Sequence, residues 1–132
     1  MRMIPMMVLA AAAALAARPV HATDSDDPGR AQYLRYCGAC HGPGGQGDGI
    51  AGTFMRPKPA DLTELAKKNK GEFPFMRVMN VIDGRDTVRA HGDPQMPVWG
   101  EVFADQASWA MDRRAEVRGK LMVITDYLRS IQ

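Results

Sequence analysis

The residues best equipped for chemistry lie within five positions: Cys37, Cys40 and His41, joined by Gly38 and Ala39 in the string Cys-Gly-Ala-Cys-His. On a turn of helix, positions i, i+3 and i+4 share a face, so two thiols and an imidazole in this order converge on one object. The pattern is the attachment sequence for c-type haem: the thiols form thioethers with the vinyl groups while the imidazole reaches the iron. Gly38 and Ala39 leave room for the macrocycle. A redox disulfide between Cys37 and Cys40, of the thioredoxin kind, would sit in a β-α-β setting, and the surrounding sequence shows no such alternation. Structural zinc would need four protein ligands at suitable spacing, which are missing.

A haem iron held by His41 takes a sixth ligand from elsewhere. Outside the N-terminal segment the donors are His91 and the methionines Met55, Met76, Met79, Met96, Met111 and Met122. Met79 falls on an apolar helical stripe and reads as core filler, and Met76 lies beside that stripe. Met122 belongs to the final helical pattern and Met55 to an extended loop, so either would need an unusual chain path. Met96 stands between Gly92-Asp93-Pro94 and Pro97, in an irregular segment able to present a side chain to the distal face. Met96 is the expected ligand, with His91, another methionine or an open position as alternatives. A thioether favours ferrous iron and raises the reduction potential, and a closed sixth position leaves no site for oxygen or peroxide.

The elements that must position these residues read as helices. Asp27 and Pro28 make an N-cap and first-turn pair that opens a helix through Gly29, Tyr33 and Leu34 toward Cys37. The glycine-rich run from Gly42 to Gly49 is loop, with few side chains to obstruct a flat haem edge. The chain through Pro57 and Pro59 stays extended. Asp61 with Glu64 resembles a capping box and starts a short helix ending near Gly71. Pro74 begins another helix and Gly84 ends it, with Phe75, Val78, Met79 and Ile82 on one face. A last helix carries Val117, Leu121, Ile124, Leu128 and Ile131 on a single stripe. No useful strand pattern appears, so the expected class is all-α.

Composition sets the outer limits. Met1 to Ala22 reads as a secretory signal peptide: Arg2 is the positive head, Ile4 to Ala17 is nearly all apolar, and Val20-His21-Ala22 suits the peptidase. That apolar run is short of the roughly 20 residues a membrane span needs. Residues 23–132 then form one exported domain. Arg2 and Arg18 lie in the signal, so the domain is formally neutral, with no footprint for nucleic acid or an anionic membrane surface.

Taken in order, Gly29-x-x-x-Tyr33-x-x-x-Cys37-x-x-Cys40-His41-Gly42, Gly47-Asp48-Gly49, Pro57-x-Pro59-x-Asp61-Leu62, Met96-Pro97-x-Trp99-Gly100 and Tyr127-Leu128 resemble the class I cytochromes c over nearly all of residues 23–132. The resemblance implies a cytochrome c-like fold of short helices round one covalent haem c, with Cys37 and Cys40 binding the cofactor and His41 and Met96 as axial ligands. It implies that Gly29 and Tyr33 of the first helix cross the last helix near Tyr127 and Leu128. It implies too that the other ring nitrogen of His41 donates to a backbone carbonyl near a loop proline, Pro57 or Pro59. The stretch from Glu101 to Glu116 is longer than many members need.

The function so implied is single-electron transfer between a redox donor and an acceptor in the periplasm, by a carrier and not an enzyme. One alternative makes the chain the cytochrome subunit of a larger dehydrogenase or respiratory complex, docking through Phe103 and Trp109. Another is a haem enzyme or gas sensor with a displaceable distal ligand. Among the remaining residues, Trp99 can pack on the haem, bond a propionate or fill the core. Arg85 and Arg89 are candidate propionate partners, although solvated arginines are commoner. Lys67, Lys68 and Lys70 either steer an acidic partner or form a solvated helix end.

Overall fold

Asp27 starts the first helix, α1 (Pro28–Tyr36), by accepting from the backbone N–H groups of Gly29 and Arg30 at 2.7 and 3.3 Å. Proline in the first turn costs nothing there, since its missing donor would have no partner. The computed structural model describes residues 27–86, 96–108 and 112–132. The expected signal peptide, Arg89, His91, Gly92 to Pro94, Trp109 and Met111 lie outside the described residues.

After a bend at Cys37 the chain makes one further turn, α2 (Gly38–His41), followed by the glycine loop and a 3-10 turn at Gly52–Phe54. A second 3-10 turn, Leu62–Glu64, runs into α3 (Leu65–Lys68). Asp61 caps it, accepting from the Thr63 N–H at 2.9 Å and the Thr63 hydroxyl at 2.6 Å. The capping box is only half made, because Glu64 turns to Lys67 at 2.8 Å and Lys68 at 3.4 Å instead of reaching back. Those exposed lysines therefore carry a local carboxylate partner, as a solvated helix end would.

α4 (Phe75–Asp83) follows Pro74 and ends at Gly84, whose φ of 84° gives the left-handed cap that glycine favours. α5 (Trp99–Gln106) was not among the expected elements. α6 (Arg113–Ser130) is the longest helix, capped by Asp112 through the Arg114 N–H at 2.9 Å. The described residues are helical, with no strand, as an all-α cytochrome c-like fold requires.

The core forms where α1, α4 and α5 meet α6. Leu121, Ile124 and Leu128 of the predicted stripe are buried there with Val78, Ile82 and Tyr33. At the α1–α6 crossing, a Cβ on Gly29 would strike the Val123 carbonyl oxygen and come within 2.9 Å of the Tyr127 Cβ, so only glycine admits this approach. One turn on, the Tyr33 and Tyr127 rings lie 5.1 Å apart. The expected contact of Gly29 and Tyr33 with Tyr127 is thus present.

Phe103, a candidate docking residue, is fully buried. It meets Tyr36 edge-on at 5.0 Å and stacks with Trp99 at 5.9 Å. Trp99 and Phe103 are one helical turn apart, which puts both against α1 and α6 as core and removes Phe103 from any docking surface. No helix among the described residues is long and apolar enough to cross a membrane.

Candidate haem site

The Cys37 to His41 peptide is a single helical turn. The Cys37 carbonyl accepts from Cys40 N at 3.1 Å and from His41 N at 2.9 Å, and Gly42 N closes on the Gly38 carbonyl at 2.9 Å. The turn thus brings the two thiols and the imidazole into the i, i+3, i+4 relation that their spacing predicted. Cys37 is buried, Cys40 is half-buried, and the two are not bonded to each other. Burial, then the neighbouring Cys40 thiol, pushes the free Cys37 thiol up to about 12.

So short a helix cannot satisfy its own last carbonyls. The loop that follows does so: Gly47 N donates to the His41 carbonyl at 2.8 Å, Gly49 N to Cys40 at 3.2 Å and Ala51 N to Ala39 at 2.9 Å. The backbones lie so close that a Cβ on Gly49 would collide with the Ala39 carbonyl oxygen. The Tyr33 hydroxyl supports the next residue, donating to the Gly42 carbonyl at 2.6 Å in a buried setting. Burial holds that phenol well above its ordinary range, so it remains a donor.

The imidazole is oriented from the other side. His41 Nδ1 lies 3.0 Å from the Ala60 carbonyl oxygen. A carbonyl only accepts, so Nδ1 carries the hydrogen and Nε2 is the nitrogen suited to a metal. Of the two candidate prolines, Pro59 adjoins the accepting residue. The Arg56–Pro57 peptide is cis.

The remaining candidates separate. Met79 packs against the core and Met55 is half-buried, while Met76 and Met122 are exposed. Met96 is 36 % exposed and stands just before α5. Two residues on, Val98 touches Gly84: a Cβ on that glycine would strike a Val98 methyl, which ties the Met96 segment to the end of α4. Arg85 pairs with Asp83, so its guanidinium already has a carboxylate. Trp99 is half-buried in the ring cluster with Tyr36 and Phe103, the core-packing role. Sequence reasoning missed Tyr33 as a support for this site; its spacing four residues before Cys37 marked the helix crossing but not the hydroxyl's reach to Gly42.

A helical chain in which one turn holds two thiols beside an oriented imidazole defines a c-type cytochrome. The chain belongs to the family described as cytochrome c oxidase, cbb3-type, subunit III, whose model matches residues 24–111. No curated protein and no solved structure matches it. As a cytochrome c domain it binds haem c covalently and transfers electrons. The residues present fit that group. The thiols are not consumed by a disulfide, the imidazole presents Nε2, and Leu34, Leu62, Leu65 and Met79 supply half-buried apolar surface beside the core.

Proposed function

We propose that residues 23–132 are exported to the periplasm and carry one electron at a time on a single haem, held through thioethers at Cys37 and Cys40, with His41 and Met96 as axial ligands. The observation that carries this reading is the Cys37–His41 turn with His41 Nδ1 donating to the Ala60 carbonyl. That bond fixes ring orientation and tautomer, as an axial histidine requires, and raises the basicity of the ligating nitrogen. Bound in this way, the haem supplies a one-electron ferric–ferrous couple. The chain's own part is to hold the imidazole still, keep Met96 within reach and exclude water with the α1, α4 and α6 core.

A second reading, the cytochrome subunit of a larger respiratory complex, is favoured by the family description, which names an oxidase subunit. Both readings place the same ligands on the iron.

The exported holoprotein is expected to begin near Thr23, to keep its haem through acid-acetone extraction and to weigh the mature chain plus one haem. Met96→Ala should leave attachment intact, abolish the sulfur-to-iron charge-transfer band, admit carbon monoxide and lower the potential, because a donor that favoured ferrous iron is gone. Intact thiols would remove the central assignment. A charge-transfer band that survives the substitution would remove Met96.

A further inference from the structure

α5 is eight residues long and starts without a side-chain cap. A helix of that length does not sustain itself in water, so its neighbours must hold it. α4 and α6 pack beside it, and from α1 it is Tyr36 that reaches across. The Tyr36 ring meets Trp99 edge-on at 5.4 Å and Phe103 edge-on at 5.0 Å, and its hydroxyl donates to Gln106 Oε1 at 2.9 Å. Residues 99, 103 and 106 stand in the i, i+4, i+7 relation and run from the first residue of α5 to the last. One side chain therefore engages a whole face of the helix. The Arg35 guanidinium lies 5.3 Å from the centre of the same ring and steadies it from α1.

The hold is firmest where α5 begins, because three successive residues there meet three different partners. Val98 fills the space beside Gly84, Trp99 meets Tyr36, and Gly100 lies so close to Asp83 that a Cβ would collide with its carboxylate and carbonyl oxygens. Met96 is joined to this clamp by a stiff link. Pro97 fixes its own φ and biases Met96 toward extended backbone, and three residues span at most about 11 Å. A shift of Trp99 is thus passed on to Met96, with little freedom between them to absorb it. Tyr36 also adjoins Cys37 in sequence, so its contact with Trp99 ties the attachment peptide to the segment that carries Met96.

We propose that Tyr36 is the positioning residue of the distal ligand: acting through Trp99, it holds the Met96 segment in place and keeps the sixth position closed. The inference rests on the Met96 assignment and names what enforces it. The ring does this, since the bond from its hydroxyl to Gln106 is exposed to water, which can replace it. Without the ring, Cys37, Cys40 and His41 still attach the haem, but Met96 yields more readily to an outside donor.

The test titrates the ferric holoprotein with imidazole, a nitrogen donor that reaches the iron only when the sixth position opens, and follows the sulfur-to-iron charge-transfer band. Tyr36→Leu should raise the apparent imidazole affinity about tenfold, the weight of a lost aromatic pair, while haem attachment and far-ultraviolet circular dichroism stay as in wild type. Trp99→Leu should do the same from the α5 side, so the test stands if one of the two variants fails to assemble. The two together should give less than the product of their separate factors, because they break one contact. Tyr36→Phe keeps the ring and should bring the affinity back to within about twofold of wild type. Wild-type affinity in either leucine variant overturns the proposal, and so do factors that simply multiply in the double variant, since Tyr36 would then not act through Trp99. A band missing from wild type, or surviving Met96→Ala, overturns the ligand assignment and the role of Tyr36 with it. A band present in wild type, lost in Met96→Ala and no easier to displace in Tyr36→Leu overturns the role of Tyr36 alone.

Discussion

Removing one oxygen atom, by Tyr33→Phe, isolates the bond that links the α1–α6 crossing to the residue after His41. The ring should stay where it is, since its 5.1 Å contact with Tyr127 does not involve the hydroxyl. The loss is therefore that of the 2.6 Å bond to a buried carbonyl. A carbonyl stripped of its donor costs about 1–3 kcal/mol. The Gly42 carbonyl also accepts from Gly45 N at 3.2 Å, a longer bond that survives the substitution. The cost should accordingly fall in the lower part of the range, about 1–2 kcal/mol, or roughly 5–30-fold in the unfolded fraction. Guanidinium unfolding of the oxidised holoprotein, followed by far-ultraviolet circular dichroism and by haem absorbance, measures it. Tyr36→Phe is the internal comparison, because its 2.9 Å bond to Gln106 is exposed and should be worth less than about 0.5 kcal/mol. Burial raises the Tyr33 phenol, so its stabilisation is fully present below the ordinary value of about 10 and is lost only as pH rises from there toward the raised folded value. The difference between wild type and Tyr33→Phe should thus be constant from pH 6 to about 9. Equal stability of the two proteins, or a difference that changes across that window, would refute the reasoning.

Gly29→Ala should be among the most damaging single substitutions, because its new methyl group meets the Val123 carbonyl, part of a helix backbone that cannot yield as a side chain can. A loss of about 2 kcal/mol or more is expected, read from the unfolding midpoint, with a near-neutral outcome counting against the crossing geometry. Asp61→Ala tests acid sensitivity: hydrogen bonds from Thr63, the hydroxyl first and then the backbone, hold the Asp61 carboxyl below its usual range. That stabilisation is present above the ordinary carboxylate value of about 4 and is lost as pH falls through the lower folded value, so the variant should show a flatter acid limb in its stability profile.

The sequence made the chemistry more legible than the scaffold between its landmarks. Cys37, Cys40 and His41 declare themselves by spacing, and Asp27-Pro28 and Gly84 declare helix ends, because each signal is local and physically forced. α5 was hidden because it starts without a side-chain cap, its preceding residue being Val98. Its placement comes from Phe103 packing on Tyr36 and α6, which is tertiary. The choice between Pro57 and Pro59 likewise depended on which carbonyl the loop turns inward, and the answer, Ala60, follows from chain trajectory. Glu64 shows the opposite failure: the capping pattern was real, but two nearby ammonium groups outcompeted the backbone.

The ladder between α2 and the loop behind it bears on which insertions and deletions a lineage could accept. Gly47, Gly49 and Ala51 step two residues along the loop for each residue they descend on the helix, from His41 to Cys40 to Ala39. Every second loop residue is a donor facing the helix, so adding or deleting one residue would exchange donors for their neighbours and leave carbonyls bare. It would also bring a Cβ to the Gly49 position, where the Ala39 carbonyl leaves no space. Gly71 is held only by a local bond, its N–H to the Ala66 carbonyl at 2.8 Å, and a Cβ placed there would meet nothing. Length variation among descendants of this sequence should therefore collect around Gly71 and spare residues 42–52, so that insertions and deletions would trace the backbone that holds the attachment peptide.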